Sequence, residues 1–387
     1  MGSVQFAMLF TRTPHYPCLS KIQFDNSDIK TSVEMYEKKK GEFSRRNPHW
    51  DAGDSPGKAA GFFYLIKKFS ILGYLFHSLR VILLRVLPKS IVEWIYRHKT
   101  DWKKLEREFE QFMAGEEKGI AETSRTPKII VSLTSYPPRI SRIHYTLFTL
   151  LRQSLKPDKV VLWLGEEQFP NRNNDLTTEL LALLTRGLEI RYTRDIKSYK
   201  KLIPALAEFP DDIIVTTDDD VLYDPMMLEN LYCSYELNEG YVHAHRGHQV
   251  SLHSQRQLKK YSNWKTCAGN SVGDFRNFFT GIGGVLYPPQ SLYRDVGNES
   301  LFMELSPTAD DIWFWAMAVL HGTKICIVEN NLHPSPNQPP AYEAIIGMSG
   351  LGATNVFGGQ NDVQLKRVME QYPVIEKRLR QAATNNA

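Results

Sequence analysis

From Pro127 onward, short apolar segments alternate with segments of helical spacing, and that alternation leaves few folds open. The segments 128–133 (KIIVSL), 159–164 (KVVLWL), 188–192 and 212–217 (DIIVTT) read as buried strands. Between them, 141–153 carries Ile143, Leu147, Leu150 and Leu151 at helical spacing, and 175–186 and 199–209 are also helical. Strands that alternate with helices pair in parallel, with helices on both faces. The expected fold is therefore α/β, with a mostly parallel sheet. Ligands of such sheets sit outside the carboxyl ends of the strands. No repeat of fixed period is visible.

The 387 residues suit two or three structural units. We expect a loose segment over 1–56, a basic helical arm over 57–126, the α/β domain over 127–335, and a loop with a C-terminal helix over 336–387. The helix is expected at 362–380, behind a Gly- and Pro-rich stretch from 334 to 361 that suits a loop over a site. Residues 57–107 hold 11 Lys and Arg against 3 Asp and Glu, a local charge of +8. Since the whole chain carries only +4, the remainder carries 4 − 8 = −4. A net charge this small gives no argument from charge for a nucleic-acid partner, and none is expected. The longest uncharged run in that strip, 69–79, has 11 residues and is too short to span a bilayer. An apolar strip broken by cations fits a helix lying on an anionic membrane, and equally an arm packed on the main domain. Trp102, Leu105, Phe109, Phe112 and Met113 follow helical spacing and would close the arm on the core. Cys18, Cys233, Cys267 and Cys326 form no C-x-x-C pair, which excludes a zinc ribbon and suits a reducing compartment. No basic region precedes the first apolar residues, and Phe6 stands where a myristoylation motif needs Ser or Thr. The expected location is cytoplasmic, with peripheral contact at the inner membrane face.

The chemistry concentrates where the strand 213–217 runs into Asp218, Asp219 and Asp220. Three adjacent acids need solvent or a cation. In an extended segment Asp218 and Asp220 face one way and Asp219 the other. Two carboxylates on one side of a strand end suit Mn2+ or Mg2+, which commonly brings a diphosphate. The competing reading is a solvated acidic turn. A haloacid-dehalogenase-like phosphatase also places D-x-D after an apolar strand, but asks for Thr or Val where Leu222 stands, and for the first strand rather than the fourth.

Two further signals lie downstream. Thr280-Gly281-Ile282-Gly283-Gly284 is a glycine turn feeding an apolar strand, suited to close backbone approach. In Ser306-Pro307-Thr308-Ala309-Asp310-Asp311, Ser306 reads as a helix N-cap and Pro307 as the first helical residue. Asp310 and Asp311 then either favour the helix dipole or supply a general base. His243, His245, His248 and His253 could hold zinc only if the chain folded back on itself. On a strand, His243 and His245 share a face and could line a groove.

Together, the D-x-D after the fourth strand, the T-G-x-G-G turn and the A-D-D-x-W helix resemble a bacterial GT-A-fold glycosyltransferase. More narrowly they resemble the family-2-like enzymes of capsule and lipopolysaccharide biosynthesis, over about residues 127–335. The resemblance implies a Rossmann-like sheet and transfer of a sugar, with inversion, from a nucleotide-diphosphate donor to a glycan or glycolipid hydroxyl. It implies that Thr134, Ser135, Tyr136 and Arg139 form the nucleotide loop, and that Lys197, Lys200 and Lys201, with Asp219, meet the donor. Asp218 and Asp220 would hold the metal, with His333 as a late ligand. Gly281, Gly283, Gly284, His248 and Trp313 would lie on the acceptor side. Asp310 and Asp311 match the paired acids whose second member is the base; Asp310 stands where Glu is common. A non-catalytic carbohydrate-binding protein of the same fold is the other class that these residues allow.

Overall fold

The computed structural model describes residues 102–253, 258–267, 272–328, 335–336, 355 and 358–385. The segment expected to be loose, the basic apolar strip up to residue 101, His333 and most of the Gly/Pro-rich stretch lie outside the described residues.

The α-helices are α1 (Trp102–Ala114), α2 (Ile143–Leu151), α3 (Thr178–Ala182), α4 (Ile203–Glu208), α5 (Met227–Leu237), α6 (Glu299–Leu305), α7 (Asp310–His321), α8 (Gln360–Gln371) and α9 (Val374–Asn385). The strands are β1 (Ile129–Thr134), β2 (Lys159–Gly165), β3 (Leu188–Thr193), β4 (Ile213–Thr216), β5 (Val221–Leu222), β6 (Val242–Ala244), β7 (Gly247–Gln249), β8 (Lys265–Thr266), β9 (Asn277–Phe279), β10 (Val285–Tyr287), β11 (Ile325–Ile327) and β12 (Ser335–Pro336). Seven strands form the central sheet in the order β11-β6-β10-β4-β1-β2-β3, and only β10 runs against the others. Small sheets β8-β7-β9 and β12-β5 flank it.

The strands read as continuous apolar runs because both faces of the sheet are covered. Successive residues point to opposite faces. Ile130, Val161 and Ile214 therefore pack with Phe314 and Trp315 of α7, whereas Ile129, Val131 and Leu133 pack with Leu147 and Leu150 of α2. Outside α2 lies α1, whose Phe109 and Phe112 rings sit 5.5 and 5.4 Å from that of Phe148. The helical spacing of the arm's last turns thus corresponds to a packed face.

The differences from expectation have local causes. Segment 175–186 is split into α3 and a 3-10 turn, Leu183–Arg186, stopped by Gly187 at φ 102°. Segment 199–209 opens as a 3-10 turn, Lys197–Lys201, and α4 restarts with Pro204 in its first turn, where a missing N–H costs nothing. The C-terminal helix is two helices, parted at Pro373, which cannot continue the hydrogen-bond ladder. Ser306 does not cap α7. Its hydroxyl donates to the Ala309 carbonyl at 2.7 Å, and the helix starts three residues later than expected, at Asp310.

Trp313 is fully buried in α7, and its indole N–H donates to the Val296 carbonyl at 2.9 Å. Trp313→Ala is expected to cost about 3–5 kcal/mol in urea unfolding, the usual range for emptying a packed tryptophan site. A loss below about 1 kcal/mol would place the side chain at an accessible wall instead.

Candidate functional site

The chain leaves β1 on one side, toward β2 and β3, and returns on the other side as β4. Such a reversal opens a crevice between the carboxyl ends of the two strands. Two loops enter it, one after β1 and one after β4.

They are sewn together by one inward carboxylate. Asp219 is buried; its Oδ2 accepts from Ser135 Oγ at 2.5 Å and its Oδ1 from Arg139 Nη1 at 2.7 Å. The same Arg139 nitrogen lies 3.0 Å from Asp220 Oδ2. Burial alone would favour a neutral guanidine, but Asp219 and Asp220 outweigh it and raise the Arg139 pKa above its ordinary value. Arg139 also stacks over Tyr136, 5.5 Å from the ring centre. Thr134 Oγ1 donates back to the Trp163 carbonyl at 2.8 Å, closing the end of β1 onto β2. Asp218 is fixed through its backbone, whose N–H donates to Tyr223 Oη at 2.8 Å.

On the other wall, three elements converge on Lys201. Its ammonium lies 2.9 Å from Asp218 Oδ1 and 2.8 Å from Asp310 Oδ2, with only 5% of the residue exposed. Burial would strip its proton, yet Asp218, Asp310 and Asp311 together raise its pKa well above the lysine value. Asp311 is half-buried, and its Oδ2 accepts from the Gly281 N–H at 3.0 Å. Burial first, then the neighbouring Asp310, pushes its carboxyl up to about 7, against the pull of Lys201. Gly281 is required by space. A Cβ there would stand 2.8 Å from Lys201 Nζ, 3.0 Å from Asp311 Oδ1 and 3.4 Å from Asp218 Oδ1. The glycine turn thus touches both acid pairs. Gly284 takes φ 91°, and a Cβ on Gly283 would come within 3.0 Å of His245 Cβ, so both shape the turn.

Of the expected site residues, Ser135, Arg139, Lys201, Asp218, Asp219, Asp220, Gly281, Asp310 and Asp311 are linked through these contacts. Thr134 and Tyr136 flank them. Lys200 turns away and pairs with Asp195, and the exposed Lys197 reaches the Pro307 carbonyl, at 3.4 Å. Trp313 goes to the core. His248 packs against Tyr261 in the small sheet, and burial lowers its pKa to about 4. His243 and His245 line no groove. Both are fully buried, bonded to Ser234, Asn238 and the Met227 carbonyl. Sequence reasoning missed Tyr223 and Tyr199, whose hydroxyl donates to the Ser306 carbonyl at 2.6 Å. Nothing in their local sequence marks them.

Among the described residues, no group of three or more His, Cys, Asp or Glu is arranged to hold a metal ion. A hard cation completed by substrate phosphates needs only one or two carboxylates. Asp218 and Asp220, each with 28% of its side chain exposed at the strand end, fit that donor set. Each already faces a cation of the chain, Lys201 or Arg139, with which a metal would share it.

No family model matches the chain, and no curated protein matches it. Among solved structures it is similar to a mannosyltransferase from Pyrobaculum calidifontis in complex with GDP-Man and Mn2+ (12% identity, 78% of this chain and 99% of that one, TM-score 0.33). It is also similar to S. aureus TarS (residues 1–349; 12%, 63% and 72%, 0.35) and to the inositol-1-phosphate CTP transferase from T. maritima (13%, 64% and 98%, 0.34). At this level of likeness, side-chain roles have to come from this chain's own geometry.

Lys201→Met would leave Asp218, Asp310 and Asp311 crowded without their shared cation. The expected loss is about 3–5 kcal/mol at pH 7.5, by urea unfolding. Unshielded carboxylates hold protons more tightly when folded, so the loss should shrink as pH falls toward 5. A loss of equal size at both pH values would reject the electrostatic origin.

Proposed function

We propose that the chain is a metal-dependent glycosyltransferase, moving a sugar from a nucleotide-diphosphate donor to a hydroxyl of a glycan or glycolipid. The observation that carries this reading is the buried Lys201, which ties the strand-end acid Asp218 to the acid pair of α7 across the switch-point crevice. Asp218 and Asp220 would hold Mn2+ or Mg2+, which when bound neutralises charge on the leaving diphosphate. Arg139 and the β1 loop would orient the nucleotide end of the donor.

Asp311 is the base in this reading. Its carboxylate takes the proton of the acceptor hydroxyl as that oxygen attacks the anomeric carbon. The bond from carbon to the diphosphate oxygen breaks, and its electron pair leaves with the diphosphate. Attack from the face opposite the leaving group inverts the anomeric centre. A base with a pKa close to working pH is suited to this task. The Gly281 N–H holds the carboxylate in place, and the missing side chain lets the turn approach Lys201 and Asp311 this closely.

Among the described residues no helix is long and apolar enough to cross a membrane. We infer that residues 57–115 hold the enzyme at the inner membrane face, with the part up to residue 101 supplying the basic apolar strip. Flotation with vesicles containing anionic lipid should recover the full chain and not one lacking residues 1–101; equal recovery of both would remove the strip from this role.

The central test is a panel of nucleotide sugars, scored by thermal shift with and without Mn2+, followed by variants. Asp220→Ala should lose metal-dependent donor binding in calorimetry, and unchanged binding would reject the metal site. Asp311→Asn should bind donor and metal normally and turn over about 10²–10⁴ more slowly. Its stability carries a second signature. The folded carboxyl titrates up to about 7 and the unfolded one near 4, so ionisation weakens the fold as pH rises through that window. Asp311→Asn should therefore melt no lower than wild type at pH 8, and lose this advantage near pH 4.

A further inference from the structure

The start of α7 is fixed from outside the helix. Its N-cap position, Ala309, offers no side-chain cap. Instead, every polar atom of Thr308 is held by two buried amides from the C-terminal part of the chain. The Thr308 N–H donates to Gln364 Oε1 at 2.9 Å, and Asn355 Nδ2 donates to the Thr308 carbonyl at 2.7 Å. The Thr308 hydroxyl donates to Asn355 Oδ1 at 2.8 Å and accepts from Gln364 Nε2 at 2.9 Å. Gln364 is 1% exposed and Asn355 is buried. Neither touches the carboxylates. Thr308 lies two and three residues before Asp310 and Asp311.

We propose that Gln364 and Asn355 are positioning residues, which set where Asp311 stands by gripping Thr308. This rests on the reading of Asp311 as the base. The chemistry of the grip supports it. A buried amide left unpartnered is costly, so an amide that offers both a donor and an acceptor to one threonine fixes that threonine in distance and in orientation, and Gln364 Nε2 is itself anchored by donating to the Gln360 carbonyl at 3.2 Å. A helix start held in this way has little freedom to slide or turn. The first-turn carboxylates move with it as a rigid unit, whereas Lys201 and Gly281, their partners, belong to other elements. Loosening the grip would therefore let Asp311 drift relative to the crevice without emptying the core. A misplacement on the order of 1 Å at a reacting group costs up to about 10²-fold in rate.

The other end of α7 supplies the comparison. There Arg378 of α9 donates to the Val319 carbonyl, far along the helix from the acids. Loss of that contact should weaken the fold without moving Asp311.

The test uses the full chain and the nucleotide sugar that gives the largest thermal shift with Mn2+, followed by release of nucleoside diphosphate into water. Gln364→Met and Thr308→Val should lower kcat roughly tenfold to hundredfold, with the KM for the nucleotide sugar within about twofold of wild type. Thr308→Ser, which keeps all three polar atoms, should restore kcat. Arg378→Met should lower the melting temperature and keep kcat. If Gln364→Met and Arg378→Met lower kcat equally, the grip is only structural and the proposal fails. It also fails if Gln364→Met keeps wild-type kcat while Asp311→Asn loses it, in which case the base assignment stands without it. If Asp311→Asn keeps wild-type turnover, the base assignment itself falls, and this inference with it.

Discussion

A single buried ammonium decides how this crevice can be built. Lys201 cannot stay charged away from water without carboxylates, and Asp218, Asp310 and Asp311 cannot crowd together without a cation. Each side of the contact makes the other tolerable. The consequence reaches into the backbone. A 3-10 turn ahead of α4 brings Lys201 beneath the strand ends, β4 stops at Thr216 so that its next residues can splay, and α7 must begin with its acids facing inward. Gly281 follows from the same constraint, because any side chain there would press on Lys201 and both carboxylates.

The arrangement also separates two kinds of acid that look alike as letters. Asp219 is a brace. It is buried and committed to Ser135 and Arg139, so it fastens the β1 loop to the β4 loop. Asp218 and Asp220 stand on either side with part of each side chain in solvent. Their chain partners, Lys201 and Arg139, balance them before any ligand arrives. A ligand that brings both phosphate and a hard cation adds nearly balanced charge to such a site. A bare phosphate would compete with the carboxylates for the same two cations.

Much of the fold was legible from Pro127 onward because β1 to β4 are apolar runs covered on both faces, and such runs need no partner to be recognised. What stayed hidden depends on contacts distant in sequence. Ser306 carries the letters of an N-cap, but its hydroxyl found the Ala309 carbonyl and its carbonyl found Tyr199, 107 positions away. Trp313 was assigned to a groove and belongs to the core, since periodicity shows that a helix has an apolar face and not what lies against it. The same limit applied to His243 and His245, whose shared strand face turned out to meet α5 rather than a ligand. In the site, the alternation expected for Asp218, Asp219 and Asp220 does not hold: Asp219 and Asp220 both meet Arg139 while Asp218 meets Lys201, because the strand ends at Thr216 and the acids lie in the turn beyond it. Lys201 was read as a phosphate partner. Its inward turn could not be foreseen, because the 3-10 start at Lys197 follows from packing.

The two acids of α7 differ in what each already holds. Asp310 is buried, and its carboxylate is committed to Lys201 at 2.8 Å. A proton arriving there would break the contact that keeps the lysine charged, and with it the tie to Asp218. Asp311 carries no such burden. It accepts one backbone N–H, keeps an edge toward solvent, and has been pushed up to about 7 by burial and by Asp310 itself. The first acid therefore raises the basicity of the second, while its own carboxylate stays paired with Lys201. An acid pair reads in sequence as two equivalent candidates. In this structure the neighbour's ion pair makes them unequal, and the one that can accept a proton at least cost to the fold is Asp311.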